Sequence, residues 1–537
     1  MNVSSSFPPR IVALVLLAVG VISSGPRVVA AEFNLQTASI ADINQAFSAG
    51  ALTSEKLVEL CLARIKAYDQ QGPRLNAVIA VNPHALEIAR ALDVERKAKG
   101  ARGPLHGIPV VLKDNYDTTD VPTTGGSKAL VGYVPARDAF TVARLREAGA
   151  VILAKVNLGE LARNGVTISS LMGQSFNPYD LTRTPGGSSG GTGVAVAAIF
   201  GIAGTGSDTG QSTRSPASAN NLVGIRPTYG LISRSGVIPI SFTQDTAGPI
   251  AHYVADAAIM LDAMVGFDPE DTTTFVGVGK APATYTASLK KDGLKGTRIG
   301  YVKNLFGDGS FPEHAQVTAV TMKAIDAMKA AGATMIAMDI PETAYYAAHL
   351  GEISVSEFES KWMMDEYFRT RGSTSKYRNL ADYVAAAGNS NPAVLAGFKK
   401  QVGAKEDALR DPDYVKRLKA QAAFRDLLVK RMEDEHLDAL FYTHQKRLVV
   451  PAVKDPDQIE RNGFMGSSTG LPAVTVQGGF SPPTKDAPIG VPVGIEFLGR
   501  PFAEPMLLQL AYGFEQISHH RTPPKSVPAL PGEKFTY

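Results

Sequence analysis

Two serine clusters in glycine-dense loops, and one lysine at the end of an apolar run, are the residues whose types and spacing suit chemistry. Residues 186–191 read GGSSGG, placing Ser188 and Ser189 between paired glycines. Residues 206–215 read GSDTGQSTRS, placing Ser212 behind Asp208, Thr209, Gly210 and Gln211. Between them, roughly 192–203 is small and apolar, as in a tightly buried helix. Glycine lets a substrate approach the main chain closely, and runs of free N–H groups in such loops attract developing negative charge. A hydroxyl set among such donors is what acyl transfer to serine needs. Upstream, 103–115 read GPLHGIPVVLKDN, where the strand-like run 108–112 delivers Lys113 at its end. A lysine emerging from a buried strand is costly unless neutral or paired. This third element raises the catalytic reading above that of plain turns, linkers or phosphate cradles.

Other uses of these loops fit less well. No Gly-Lys-Ser/Thr follows the glycines, which excludes a P-loop. Paired serines with no acidic ribose ligand downstream suit a Rossmann fingerprint poorly. Residues 186–190 formally satisfy the G-x-S-x-G elbow of an α/β-hydrolase esterase. That fold also needs a downstream acid and histidine, and no later histidine sits in a recognisable loop after a strand. Ser288-Leu289-Lys290-Lys291 gives a Ser-x-x-Lys in a polar, lysine-rich setting without the β-lactamase partner motifs. A non-catalytic periplasmic solute-binding protein would share size, export and α/β character, but would not need Lys113, Ser188 and Ser212 together.

Taken in order, these segments resemble the amidase signature hydrolases. The resemblance rests on PLHGIPVVLKDN, on 173–178 (GQSFNP), on GGSSGG, on GSDTGQSTRSPAS and on 223–230 (VGIRPTYG). Near the C-terminus it continues through 470–475 (GLPAVT) and 494–501 (GIEFLGRP). The segment SRSGVIPISFTQDTAGPIAHYVADAA is similar to the bacterial peptide amidase branch. The resemblance implies one continuous α/β domain, the amidase signature fold, with a large mixed twisted β-sheet covered by helices on both faces. It implies a Ser–cisSer–Lys triad: Ser212 the nucleophile, Ser188 the proton relay on a cis peptide, Lys113 the base. The N–H groups of Thr209, Gly210, Gln211 and Ser212 map onto the oxyanion hole, with Ser189, Asp208 and Arg214 in support. Lys113 acts as base only if burial lowers its pKa from ~10.4 towards neutrality, and His106 then reads as structural. One departure stands out: most relatives carry glycine where this chain has Gln211, and glutamine is strained there if the position requires positive φ. The glutamine-hydrolysing component of a tRNA-dependent amidotransferase is the rival within the family, but that protein is cytosolic and partnered.

The elements that must hold these residues follow from pattern. With 537 residues, 44% hydrophobic and 20% charged, the chain has ordinary globular composition and material for a large core. Residues 1–31 read as a cleavable signal peptide: Arg10, an apolar 11–22, and Val29-Ala30-Ala31 before Glu32. This predicts a periplasmic or secreted protein with no stable membrane anchor. The leader holds Arg10 and Arg27 and no acids, so removing it takes the net charge from +3 to +1. Near-neutrality suggests no nucleic-acid partner. Without His-x-x-x-His or Cys-x-x-Cys spacing, no metal or organic cofactor is expected. The lone Cys61 sits among Leu57, Leu60, Leu62 and Ile65 and reads as core.

Thr53 or Ser54 caps a predicted helix running to Asp69, and 83–99 reads as a second closed by Gly100. Apolar strands at 108–112 and 151–155, separated by helix patterns such as 138–148, predict an α/β sheet. A core of about 32–265 and 461–537 is then expected, with 266–460 a helical region beside the cleft (313–331, 352–370, 379–388, 411–436). Within 352–370, Phe358, Trp362 and Phe368 read first as a packed helix face, with pocket lining the alternative. Peptide amides, aryl amides, carbamates and simple esters all remain open as substrates, and the oligomeric state is unassigned.

Overall fold

Short runs rich in Val, Ile, Leu, Ala and Gly, most carrying a single charged residue, become strands buried on both faces. Every residue of Pro109–Lys113, Val151–Val156, Ala203–Asp208, Thr246–Ala251 and Pro492–Leu498 is buried in the computed structural model. The structure describes residues 1–6, 8, 31–371, 374–403, 408–453 and 456–537. The apolar leader expected at 11–22 lies outside the described residues.

These strands belong to one 11-stranded sheet. From one edge to the other it runs Thr334–Met338, Arg298–Val302, Ala439–Thr443, Pro492–Leu498, Ala473–Phe480, Val223–Arg226, Thr246–Ala251, Ala203–Asp208, Pro109–Lys113, Val151–Val156 and Val78–Val81. Pairing is mixed. Pro109–Lys113 is parallel to both its neighbours, whereas Ala203–Asp208 is antiparallel to Thr246–Ala251.

Side chains alternate across a strand, so two cores form. Val110, Leu112 and Ile152 enter one, packed by helices Val254–Met264 and Glu504–Ser518. Val111, Val151 and Leu153 enter the other, packed by Ser54–Tyr68, Ala85–Lys99 and Gly190–Ala197. Helices on both faces are the arrangement the alternation of elements predicts. Thr53 caps the first of these helices, accepting from the Lys56 N–H, and Gly100 closes the second. Cys61 is buried in the core as expected, and burial pushes its thiol up to about 12.

The 192–203 stretch is helical only in its first part. Gly190–Ala197 is helix, every residue buried, and the chain then turns into strand Ala203–Asp208. Here glycine is required by close approach: a Cβ at Gly191 would lie 2.1 Å from the Asn157 carbonyl oxygen. That contact seats the GGSSGG loop against the sheet.

The middle of the chain supplies the long helices Pro312–Ala330, Ser356–Thr370 and Pro412–Asp434. It also supplies three strands that pattern reading does not anticipate, Arg298–Val302, Thr334–Met338 and Ala439–Thr443, which extend one side of the sheet. Helices Ser356–Thr370, Leu380–Ala386 and Pro392–Val402 converge on Tyr133, Leu161 and Ile238 in a separate aromatic cluster. The first and last strands meet as well. Glu32–Asn34 pairs with Lys534–Thr536, and Arg64 forms a buried ion pair with Glu533 at 2.9 Å.

Candidate active site

Lys113 is the last residue of its strand, and the parallel strand beside it carries Ser207. The Lys113 Nζ donates to Ser188 Oγ at 2.8 Å, to Ser207 Oγ at 2.8 Å and to the Ser207 carbonyl at 3.2 Å. Asn115 Nδ2 donates to the same Ser207 Oγ at 3.0 Å. Lys113 is completely buried among neutral groups. Burial pushes its amine down to about 7, against the weaker upward pull of Asp208 and Asp245. The Gly187–Ser188 peptide is cis. Ser188 itself is fully buried, and no strand runs directly into it. It therefore lacks the exposure and the strand-to-helix turn that an elbow nucleophile needs.

The second serine loop connects strand Ala203–Asp208 to helix Arg214–Ala219. Ser212 is half-buried and lines an open cavity. Its carbonyl accepts the Ser189 N–H at 3.2 Å, which ties the two serine loops together. Among the described residues, Ser189 Oγ reaches only the Ser207 carbonyl, at 3.5 Å. Among the described residues, the N–H groups of Gly210, Gln211 and Ser212 donate to no protein acceptor. A backbone donor left open beside a cleft is available to an incoming oxyanion. Gly210 is exposed, and Thr209 is fixed by its hydroxyl, which donates to Asp245 Oδ1 at 2.6 Å. Gln211 does not take positive φ, so the strain conditionally expected there does not arise.

Beneath this loop lies a dense set of paired charges. Asp208 accepts from the Thr213 N–H at 3.0 Å, from Arg214 Nε and Nη2 at 3.1 and 3.0 Å, and from Arg226 Nη1 at 2.9 Å. Burial alone would push the Asp208 carboxyl up, but Arg214 and Arg226 outweigh it and hold it well below the usual range. Arg214 continues to Glu496 Oε1 at 2.6 Å, and Glu496 also accepts from Tyr442 and His444. Burial raises Glu496 too, but Arg214 and His444 bring it down to about 2. Arg214 Nη2 also reaches the carbonyls of Gly463 and Gly210, which fixes the loop's path. The expected brace of Asp208 and Arg214 is thus one end of a longer chain of charges.

Several members of the site were not singled out from sequence. Ser207, Arg226 and Glu496 each lie inside a quoted motif block, and the signal that identifies them is counting partners. A buried Asp208 and Arg214 need further counter-charges, and a buried lysine needs acceptors. His444 has no motif around it. His106 sits apart from the serines, its Nε2 beside the Leu92 carbonyl at 2.9 Å, in keeping with a structural role.

The cleft above has two halves, of about 460 and about 410 Å³. Both are large enough for a small organic ligand, and Ala162, Thr209 and Ile240 line both. Trp362 stands over the larger half, 43% exposed and 5.5 Å from the Phe242 ring. Phe368 is buried in the aromatic cluster, as a packed helix face predicts. Trp362 overturns that expectation and lines the pocket: its helix is amphipathic towards the cleft as well as the core.

The amidase family profile matches residues 56–508 of this chain. A probable amidase of Arabidopsis thaliana is 36% identical over 513 residues, covering 92% of this chain and 93% of its own. A glutamyl-tRNA(Gln) amidotransferase subunit from Methanosarcina acetivorans is 34% identical over 469 residues, covering 84% and 92%. The crystal structure of the peptide amidase from Stenotrophomonas maltophilia superposes with a TM-score of 0.81 at 36% identity, covering 91% of this chain and 98% of that one.

Proposed function

The chain belongs to the amidase family and hydrolyses carbon–nitrogen bonds, and from that premise we propose that it does so through an acyl-enzyme on Ser212. The observation that carries this reading is the 2.8 Å contact from Lys113 Nζ to Ser188 Oγ in a pocket dry enough to bring the amine down to about 7. At that value a large fraction of Lys113 is neutral at physiological pH and able to take a proton. Ser212 Oγ attacks the amide carbonyl while its proton passes through the Ser188 hydroxyl to Lys113. The carbonyl oxygen becomes an oxyanion facing the N–H groups of the 209–212 loop. As the C–N bond breaks, the amine nitrogen takes the proton back along the same relay. Water then attacks the ester carbon, giving its proton to the relay, and the acid leaves as Ser212 Oγ is reprotonated.

The substrate class is a carboxamide or related acyl-nitrogen compound: a peptide amide, an aryl amide or a carbamate. The leader pattern of 1–31 supports a periplasmic or secreted location. A fluorophosphonate label tests the assignment. Mass spectrometry should find the adduct on the peptide containing Ser212, and Ser212→Ala should remove both label and turnover. An adduct on Ser188 would sink this mechanism and favour the esterase elbow.

A further inference from the structure

The two halves of the cleft treat their arginines differently. In the larger half Arg234 is paired with Asp271 at 2.8 Å and Arg371 with Glu270 at 2.9 Å. In the half that contains Ser212, Arg163 and Arg461 line the wall. Among the described residues, neither has a carboxylate within ion-pair distance. Arg163 donates to Ser360 Oγ and lies over the Phe398 ring at 4.3 Å. Burial pulls its guanidinium down to about 10, with Asp245 opposing from a distance. Burial lowers Arg461 as well, and among the described residues the charge opposing that shift is Asp457, which lines the same cavity but forms no ion pair with it. Desolvating a guanidinium without a counter-ion is unfavourable. Two such cations on one cavity wall, with Asp457 out of ion-pair contact, suit an anionic group on a bound molecule.

Gln211 is the independent sign. The residue is 3% exposed, yet among the described residues neither Nε2 nor Oε1 has a hydrogen-bond partner. An unpaired buried amide is likewise unfavourable unless a ligand completes it. Arg461 and Gln211 converge over Gly165: a Cβ there would lie 3.1 Å from Arg461 Nη1 and 3.7 Å from Gln211 Nε2. Both residues line the cavity that Ser212 lines.

We propose that Arg461 and the side-chain amide of Gln211, with Arg163 on the same wall, form a subsite for a carboxylate carried by the substrate. The proposal rests on the amidase reading and narrows its substrates to amides that bear an anionic group near the scissile bond. A guanidinium presents a planar fork of donors that matches a carboxylate bidentately. Gln211 Nε2 supplies a further donor that a glycine at this position lacks, which gives the chain's departure from its relatives a function. The carboxylate belongs to either the acyl portion or the leaving amine, and paired substrates separate the two.

The measurement is kcat/KM for glutaramate against pentanamide, and for N-acetylglycine against N-propylacetamide. In one of the pairs the anionic amide should be preferred by about tenfold or more, the scale of one charge-assisted contact. Arg461→Gln and Gln211→Gly should each shrink that ratio by about tenfold. Independently of any variant, glutarate should slow fluorophosphonate labelling of Ser212 in the unaltered enzyme, and pentanediol should not. Equal or reversed preference in both pairs, a ratio unchanged in Arg461→Gln, or labelling indifferent to glutarate overturns the subsite. Those results leave the amidase reading standing as long as the neutral amides turn over. Loss of the amidase reading has a separate signature, with no amide hydrolysed and no adduct at Ser212.

Discussion

Two lysines are completely buried on neighbouring parallel strands, and they differ in what faces them. Lys113 and Lys155 lie one register step apart, Lys113 opposite Val156 and Lys155 opposite Leu112. Lys155 faces Asp114 Oδ1 at 3.1 Å and donates to the Tyr116 carbonyl and Thr123 Oγ1, each at 2.8 Å. Lys113 meets two serine hydroxyls and one carbonyl, with no carboxylate in contact among the described residues. Asp114 directly follows Lys113 in sequence, in the turn that leaves the strand, and its carboxylate meets Lys155 rather than Lys113. Equal burial therefore gives two outcomes. A carboxylate makes the buried ammonium a structural charge, while hydroxyls leave it ready to lose its proton.

Replacing each lysine by an apolar residue of similar length should separate these roles. Lys113→Met should lower kcat/KM by ~10²–10⁴-fold, the range for loss of a general base. It should do so without loss of stability. The folded state binds fewer protons at Lys113 than the unfolded chain between pH about 7 and the ordinary value of 10.5. Its burial therefore opposes folding at neutral pH, and that penalty fades as pH rises towards 10.5. Urea unfolding at pH 7 should give Lys113→Met a midpoint equal to or above the parent's. A large fall in stability with activity retained would reverse the assignment of the two lysines.

Lys155→Met should do the opposite. It leaves Asp114 buried without its cation, which costs about 3–5 kcal/mol for such a pair. The Lys155→Met/Asp114→Asn double variant should recover part of that loss. Titrating urea unfolding across the three proteins checks this. If Lys155→Met is as stable as the parent, the contrast between the two sites is lost.

How far these roles were legible in the sequence differs from one residue to the next. Lys113 was legible because an apolar run ending in a single lysine is improbable on a surface, and the two serine loops announced themselves by glycine density. Lys155 sits in a similar run, 151–156, and the sequence did not reveal that it too is buried. Its partner Asp114 lies in the turn after the neighbouring strand, and pairing between separate segments leaves no local pattern. The same limit hid the chain from Asp208 through Arg214 to Glu496 and His444, in which Arg214 and Glu496 are 282 residues apart. The strands Arg298–Val302 and Thr334–Met338 were missed because each mixes buried and partly exposed positions with no regular alternation, unlike the uniformly buried central strands. Trp362 was misjudged because spacing marks the faces of a helix but not whether a face meets core or cleft.

The pH profile sharpens the comparison without altering a residue. With Lys113 as base, only its neutral form is active. The acylation rate should rise as pH increases through about 7 and then level off. A flat profile from pH 5 to 9 would indicate that the base is a different group.

The smallest expected effect concerns Ser207, which separates the Lys113 environment from a simple serine–lysine contact. Its hydroxyl accepts from Lys113 Nζ at 2.8 Å and from Asn115 Nδ2 at 3.0 Å. Accepting from the ammonium stabilises the charged form, so Ser207 works against the burial that lowers the amine. In Ser207→Ala that opposition is gone while the Ser188 contact remains. The acid limb of the profile should therefore move to lower pH, by on the order of one unit, since a hydrogen bond to a charged group contributes ~1.5 kcal/mol and 1.36 kcal/mol corresponds to one unit. The plateau rate should fall by no more than about tenfold, because a base of lower pKa is a weaker proton acceptor. A limb that moves to higher pH would mean that Ser207 donates to a neutral Lys113 instead. Its hydroxyl, rather than that of Ser188, would then be the better candidate for the relay.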